Sequence, residues 1–324
     1  MISEKESIAI SYIRVGSMLA IVLCHILQVY SNLFAFVFNI GVQVFLALSG
    51  YLYGKKFISN WGKWTIGRIK RVYVPMFIFL IILLPFYLIF HREFFLWKAY
   101  VINLINLQGV SFAVGGDMIQ GIRHLWFITA IMFAYFSTPF LQKMSTCAKW
   151  MFPLLLVSVV LMYLLVPAPY VFMASWVYLY AICYLYVHLK KTKIYDIGLL
   201  MLELLLIVLV ASKNDVVTSY YHPLNRFFHD VSGVFIVIFG IRFLTLLKIN
   251  SMPRLVGLID KYSFHVFIVH YFFIIGPFSL AHITSIIFVN VLLIVVSTLV
   301  ATYIFVIINN HVNRLLVDKY LLNV

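Results

Sequence analysis

The stretch from Ile8 to Tyr30, IAISYIRVGSMLAIVLCHILQVY, decides the fold. It is long enough to cross a bilayer as a helix, which takes about 20 apolar residues. Yet it carries an arginine, Arg14, and a histidine, His25. Eleven positions separate them, so on a helix they fall within about 20° of one face and about 16 Å apart along the axis. A charge inside a membrane costs about 2.5–3.5 kcal/mol on insertion scales, and such residues usually face a polar cavity. Taken singly, Arg14 reads as a side chain snorkelling to the interface and His25 as an interhelical hydrogen-bonding group. As a pair on one face they read as a polar track across the membrane.

The rest of the chain supports that setting. Of its 324 residues 64% are hydrophobic and 10% charged, and the mean hydropathy is +1.05. Repeated apolar runs with that balance describe a polytopic membrane protein and exclude a soluble domain. The segments follow one another without a soluble insert, so residues 1–324 read as a single membrane domain. The first segment has no signal-peptide features and is expected to be retained. Cys24, Cys147 and Cys183 have neither metal nor redox spacing, so no metal is expected.

Spans are expected at about 7–30, 36–54, 72–90, 124–141, 150–166, 171–188, 195–211, 231–247, 262–279 and 284–308. Helix is the default because a lipid-exposed segment must satisfy its own backbone, and the alternation of a barrel is absent. The apolar piece Trp97 to Leu107 is short and broken by Asn103 and Asn106. It reads as re-entrant or interfacial. The fold class is therefore an all-α polytopic bundle of about ten transmembrane helices plus this one short segment.

Charge tests the count. With the N-terminus inside, 18 of the 24 basic residues fall on the cytoplasmic side. Only Arg92, Lys98, Arg123, Lys213 and Arg226 fall outside, and Arg14 lies within the membrane. This is the positive-inside pattern, carried through ten spans with both termini cytoplasmic. It also disposes of nucleic acid as the reason for the net charge of +14; the basic loops face lipid headgroups instead. Arg14 then lies in the inner half of the membrane and His25 in the outer half.

Two loops differ from ordinary connections. Lys55 to Arg71 holds six basic residues and no acid, more than topology needs. Gln108 to Arg123, on the outer side, holds Gly109, Gly115, Gly116, Gly121 and one acid, Asp117. Its backbone suits a lid or a substrate contact. No internal repeat is present, which gives no support to a repeat-built transporter.

Arg14 with His25, the run from Gly41 to Tyr51, Arg68 to Arg71, His124 to Phe127 and Tyr262 to His270, in this order, resemble the family-3 integral-membrane acyltransferases. Tyr12-Ile13-Arg14 followed by His25 is similar to that family's arginine, ten residues, histidine signature. The run from Gly41 to Tyr51 resembles its second helix ending in Ser-Gly, although Gln43 and Ala47 stand where that run is usually more apolar. Arg68-Ile69-Lys70-Arg71 resembles its cytoplasmic Arg-x-x-Arg element, His124-Leu125-Trp126-Phe127 its "HLWF" segment, and Tyr262-Ser263-Phe264 with Val269-His270 its late helix, where His265 is unusual. The resemblance implies a membrane enzyme moving an acetyl or similar small acyl group from cytoplasmic acyl-CoA, such as acetyl-CoA, to a cell-surface glycan or its lipid-linked precursor. Some members carry an extra soluble domain after the bundle; none is expected here.

Residue chemistry agrees. The CoA phosphates call for Arg forks and Lys charges, which Lys55, Arg68 and Arg71 supply on the donor's side. Arg14 is expected to steady the donor's polar groups. His25, able to accept and return a proton near neutral pH, is the expected base. Cys24 diverges from it by about 100° and cannot form a dyad with it. Asp117 is the expected acid orienting His25, with Glu203 and Asp230 as alternatives. Ser49, His124, Trp126 and His270 are placed in the wall of the substrate cavity. Association between copies of the chain is left open. The competing class is a transporter or flippase, for which Arg14 and His25 would form an ion track but the Arg-rich loop would have no specific task.

Overall fold

The computed structural model describes residues 2–212, 223–247, 249 and 251–321, without the side chains of residues 316–321. Lys213 and Lys248, counted above for orientation, lie outside the described residues, as does the side chain of Lys319. The described residues are helical with no strand. The helices are α1 (Glu4–Val29), α2 (Ala35–Phe38), α3 (Gly41–Gly54), α4 (Trp61–Phe90), α5 (Trp97–Leu104), α6 (Gln108–Ala113), α7 (Trp126–Met144), α8 (Ala148–Leu165), α9 (Ala168–Tyr186), α10 (Lys193–Ala211), α11 (Pro223–Leu246), α12 (Arg254–Ile274) and α13 (Ile287–Leu321).

Among the described residues, eight helical runs are long and apolar enough to cross a membrane. One of them, Arg123–Leu165, is 43 residues long and contains both α7 and α8. Side-chain pairs show that it doubles back at the 3-10 turn Ser145–Cys147. Trp126 meets Phe172 and Tyr135 meets Tyr180, so α7 and α9 run parallel. Phe152 meets Tyr186 and Tyr163 meets Tyr178, so α8 runs against α9. α12 is held out of the eight by its polar residues, yet it spans the same depth as α1. Arg14 pairs with Asp260 at one level, and His25 stacks on His270 at the other.

The remaining pairs keep the same alternation. α3 runs against α1, with Glu6 bonded by Tyr51 and Lys55. α10 runs against α11 through Asp196–Arg242 and Glu203–Ser232. α13 runs against α12 through His265 and Asn309. The chain is an all-α polytopic membrane protein, with helices at each of the ten expected spans.

The short segment is re-entrant. Phe95 packs on Tyr87, Tyr100 donates to the Leu80 carbonyl at 3.2 Å, and the Tyr73 hydroxyl donates to the Leu104 carbonyl. α5 thus descends beside α4 by about 12 Å, the rise of its eight residues. The chain turns at Asn106, whose φ of 57° lies in the left-handed region that asparagine tolerates. α6 then climbs against α7, with Gly109 N–H donating to Thr129 Oγ1 at 3.0 Å. Non-helical backbone at this depth survives because its polar groups are bonded: Thr129 Oγ1 donates to the Asn106 carbonyl and Leu107 N–H to the Ile102 carbonyl, both at 3.0 Å. The glycine-rich stretch expected to be a lid therefore begins as a buried arm: Gln108 is 0% exposed and Ser111 is buried.

Candidate active site

α1 and α12 present one polar face at two levels. At the lower level Arg14 Nη1 donates to both carboxylate oxygens of Asp260, at 2.7 and 2.9 Å, and Ser11 Oγ donates to Asp260 Oδ2 at 2.7 Å. Pairing makes a half-buried arginine tolerable, and it also fixes where its remaining N–H groups point. Asp260 was not singled out from the sequence. Its signal was there, as the one acid in a late helix otherwise matching an enzyme segment.

Near that level lie the other cations of the expected donor site. The Arg68 guanidinium donates to the Tyr53 hydroxyl and lies 5.4 Å from that ring's centroid. The charges of Arg68, Arg71 and Arg14 all bear on this one phenol. Ser49 lies near Tyr135 in the same cluster. It is therefore placed with the arginines and does not line the cavity in which it was expected. Lys55 is likewise committed elsewhere, with its ammonium on Glu6.

At the upper level three histidines converge. The His25 ring stacks on His270 at 5.5 Å between centroids and meets the Tyr271 ring edge-on at 4.7 Å. His124 lies 5.0 Å from His270 and stacks on Tyr271 at 4.7 Å. His124 Nε2 donates to the Ile268 carbonyl at 3.1 Å, and His270 Nδ1 donates to the Phe267 carbonyl at 2.7 Å. Each of these two rings keeps its second nitrogen buried without a partner among the described residues. His25 differs from them. Its Nδ1 is 2.9 Å from Gln28 Oε1, so Nδ1–H donates and Nε2 is left as the basic nitrogen.

Asp117 is not the residue that orients His25. It is exposed, its backbone carbonyl accepts from Ser111, and its side chain is absent from the cavity around His25. Gln28 takes that place from one turn further along α1. Residues three apart share a helix face, so this neighbour was readable in the sequence once an amide was allowed where an acid was sought. Glu203 is bonded instead by Ser232 at 2.6 Å. Cys24 points at the Ala35 carbonyl, away from His25, as the helical geometry required.

His25 opens into a cavity of about 330 Å³. One wall is aromatic: Phe112, Trp126, Phe172 and Trp176 are in mutual contact, with Trp126 stacked on Phe112 at 5.7 Å and on Trp176 at 5.9 Å. The other wall is polar, formed by Gln28, Asn39, Gln43, His124, His229 and Asp230. Arg123 and Arg226 also line it. Gln43, which departs from the expected apolar run, is thus a cavity residue. His265 has its own account in a bond with Asn309. No group of His, Cys, Asp or Glu among the described residues is arranged to hold a metal ion.

A flat aromatic wall facing amides, imidazoles and a carboxylate suits a polyhydroxylated ligand, which offers an apolar face and many hydroxyls. A basic imidazole nitrogen at the same cavity can take a proton from one of those hydroxyls. The comparisons bear on the same chemistry. A family model, that of the family 3 acyltransferase domain, matches residues 7–309. No curated protein and no solved structure matches the chain.

Proposed function

The chain belongs to the family 3 acyltransferases, and we propose that it moves an acetyl or similarly small acyl group from cytoplasmic acyl-CoA to a hydroxyl of a cell-surface glycan or its lipid-linked precursor. The observation that carries this reading is the shared face of α1. Arg14 and His25 both meet α12, one beside the Arg68 cluster and the other in the aromatic cavity. The two levels are about 16 Å apart along the helix, close to the reach of an extended pantetheine arm. A donor held by its phosphates at Arg68 and Arg71 then brings its thioester to His25 without CoA crossing the membrane.

In the reaction, His25 Nε2 takes the proton of the acceptor hydroxyl as its oxygen attacks the thioester carbonyl. The C–O bond of the product ester forms and the C–S bond breaks. The same imidazolium returns its proton to the departing thiolate, giving free CoA. Gln28 holds Nδ1–H throughout and so keeps the ring in the acting tautomer. The His25 ring is packed against His270 and Tyr271, which limits its rotation.

Purified protein in lipid nanodiscs, given acyl-labelled acetyl-CoA and surface glycan from cells lacking the gene, should place the label on the glycan as an alkali-labile ester. Movement of solute in proteoliposomes with no acyl donor, and no labelled glycan, would instead support the transporter reading.

A further inference from the structure

Asp230 is a buried carboxylate with no part in the steps above. It lies on α11, is 3% exposed, and sits where two cavities meet. One is the His25 cavity. The other is an apolar space of about 300 Å³ that it shares with Tyr178. Two phenols donate to the same oxygen, Oδ2: Tyr163 at 2.6 Å, and Tyr178. Oδ1 has no donor among the described residues. Nor does Asp230 serve as the orienting acid for His25, whose Nδ1–H is given to Gln28.

A buried carboxylate is costly unless its oxygens are hydrogen-bonded. Here one oxygen is doubly held, which fixes the direction of the other. The nearest cation on the same helix, Arg226, gives its Nη1 to the Ala168 carbonyl at 2.8 Å and lies over the Phe172 ring. Oδ1 is thus an oriented, strong acceptor at the edge of the cavity that holds the proposed base.

We infer that Asp230 positions the acceptor, Oδ1 accepting a hydrogen bond from a second hydroxyl beside the one that is acylated. The inference rests on the acyl-transfer reading and narrows its substrate class. The acceptor is a sugar with at least two neighbouring hydroxyls, and a simple monohydric alcohol is a poor one. Asp230 takes no proton and touches no reacting atom; it sets which hydroxyl faces His25.

The test compares wild type, Asp230→Asn and Tyr163→Phe, with surface glycan from cells lacking the gene as acceptor and labelled acetyl-CoA as donor. Asparagine keeps an oxygen for the two phenols and replaces the second acceptor by N–H donors. The expected result is a rise of about 10–100-fold in acceptor KM, the scale of losing a hydrogen bond to a charged group. Acetyl-CoA KM should be unchanged. Tyr163→Phe, which loosens the carboxylate without removing it, should raise acceptor KM less, by about 2–10-fold. An unchanged acceptor KM in both variants overturns the inference. So does a parallel loss of transfer and hydrolysis in Tyr163→Phe, which would mark a structural role. If wild type hydrolyses acetyl-CoA and never labels the glycan, the glycan reading itself fails and takes this inference with it.

Discussion

A single amide, Gln28, meets the ring of His25, the base of the proposed reaction. Gln28 is uncharged, so it orients the imidazole without stabilising the imidazolium as a carboxylate would. Loss of a neutral hydrogen bond is worth about 0.5–1.5 kcal/mol. Gln28→Leu should therefore slow acyl transfer by about 2–15-fold and leave acyl-CoA affinity in place, as read by transfer kinetics beside calorimetric titration with CoA. A transfer rate equal to wild type would show that the Gln28 bond has no part in catalysis. At this scale the sequence was half legible. Arg14, His25 and His124 were recognisable because apolar segments make polar residues conspicuous; His270, expected in the cavity wall, is 0% exposed and packs behind His25 instead. Asp260 escaped because it acquires meaning only from Arg14, on a helix 246 positions away, and Gln28 because an acid was sought where an amide stands. Asp117 was chosen for its side of the membrane alone, which fixes depth but not direction.

Between elements, the tightest seam is α3 on α9. A Cβ added at Gly50 would stand 2.0 Å from the Tyr180 carbonyl oxygen, and one at Gly54 would stand 2.6 Å from that of Tyr184. Two glycines four apart let the helix backbones touch, the small-residue contact that membrane helices use in place of a hydrophobic drive. At Gly50 the three nearest atoms are all backbone of Tyr180, so the helices themselves must part. Gly50→Val should cost about 1–3 kcal/mol or more, seen as a lower unfolding temperature in detergent and less monodisperse protein. A melting curve that does not move would show that α3 and α9 lack this contact. The glycine spacing was visible in the sequence, but its partner was not. The re-entrant arm shows the same division: Asn103 and Asn106 marked the break, while its descent beside α4 depends on Tyr73 and Tyr100 reaching across.

For the whole molecule, hydropathy sufficed to place the helices. The expected spans and the helices coincide because each span must satisfy its own backbone, a local constraint that needs no tertiary knowledge. The side of each loop is an inference from basic residues, and labelling tests it. In a Cys147→Ser background, which removes the exposed native thiol, Asp117→Cys should react with a membrane-impermeant maleimide on intact cells. Ser145→Cys, at the turn between α7 and α8, should react only after permeabilisation. Reaction of Ser145→Cys on intact cells would invert the orientation and move the arginine cluster away from cytoplasmic CoA.

The most direct measurement is acyl transfer by His25→Ala beside its affinity for CoA. Removing a general base costs about 10²–10⁴ in rate, and the loss falls on the transition state, not on donor binding. Transfer to the glycan should drop at least about a hundredfold, with the calorimetric CoA affinity and the unfolding temperature close to wild type. A folded His25→Ala protein that still acylates within about tenfold of wild type would contradict the account and leave His25 as a packing residue between α1 and α12.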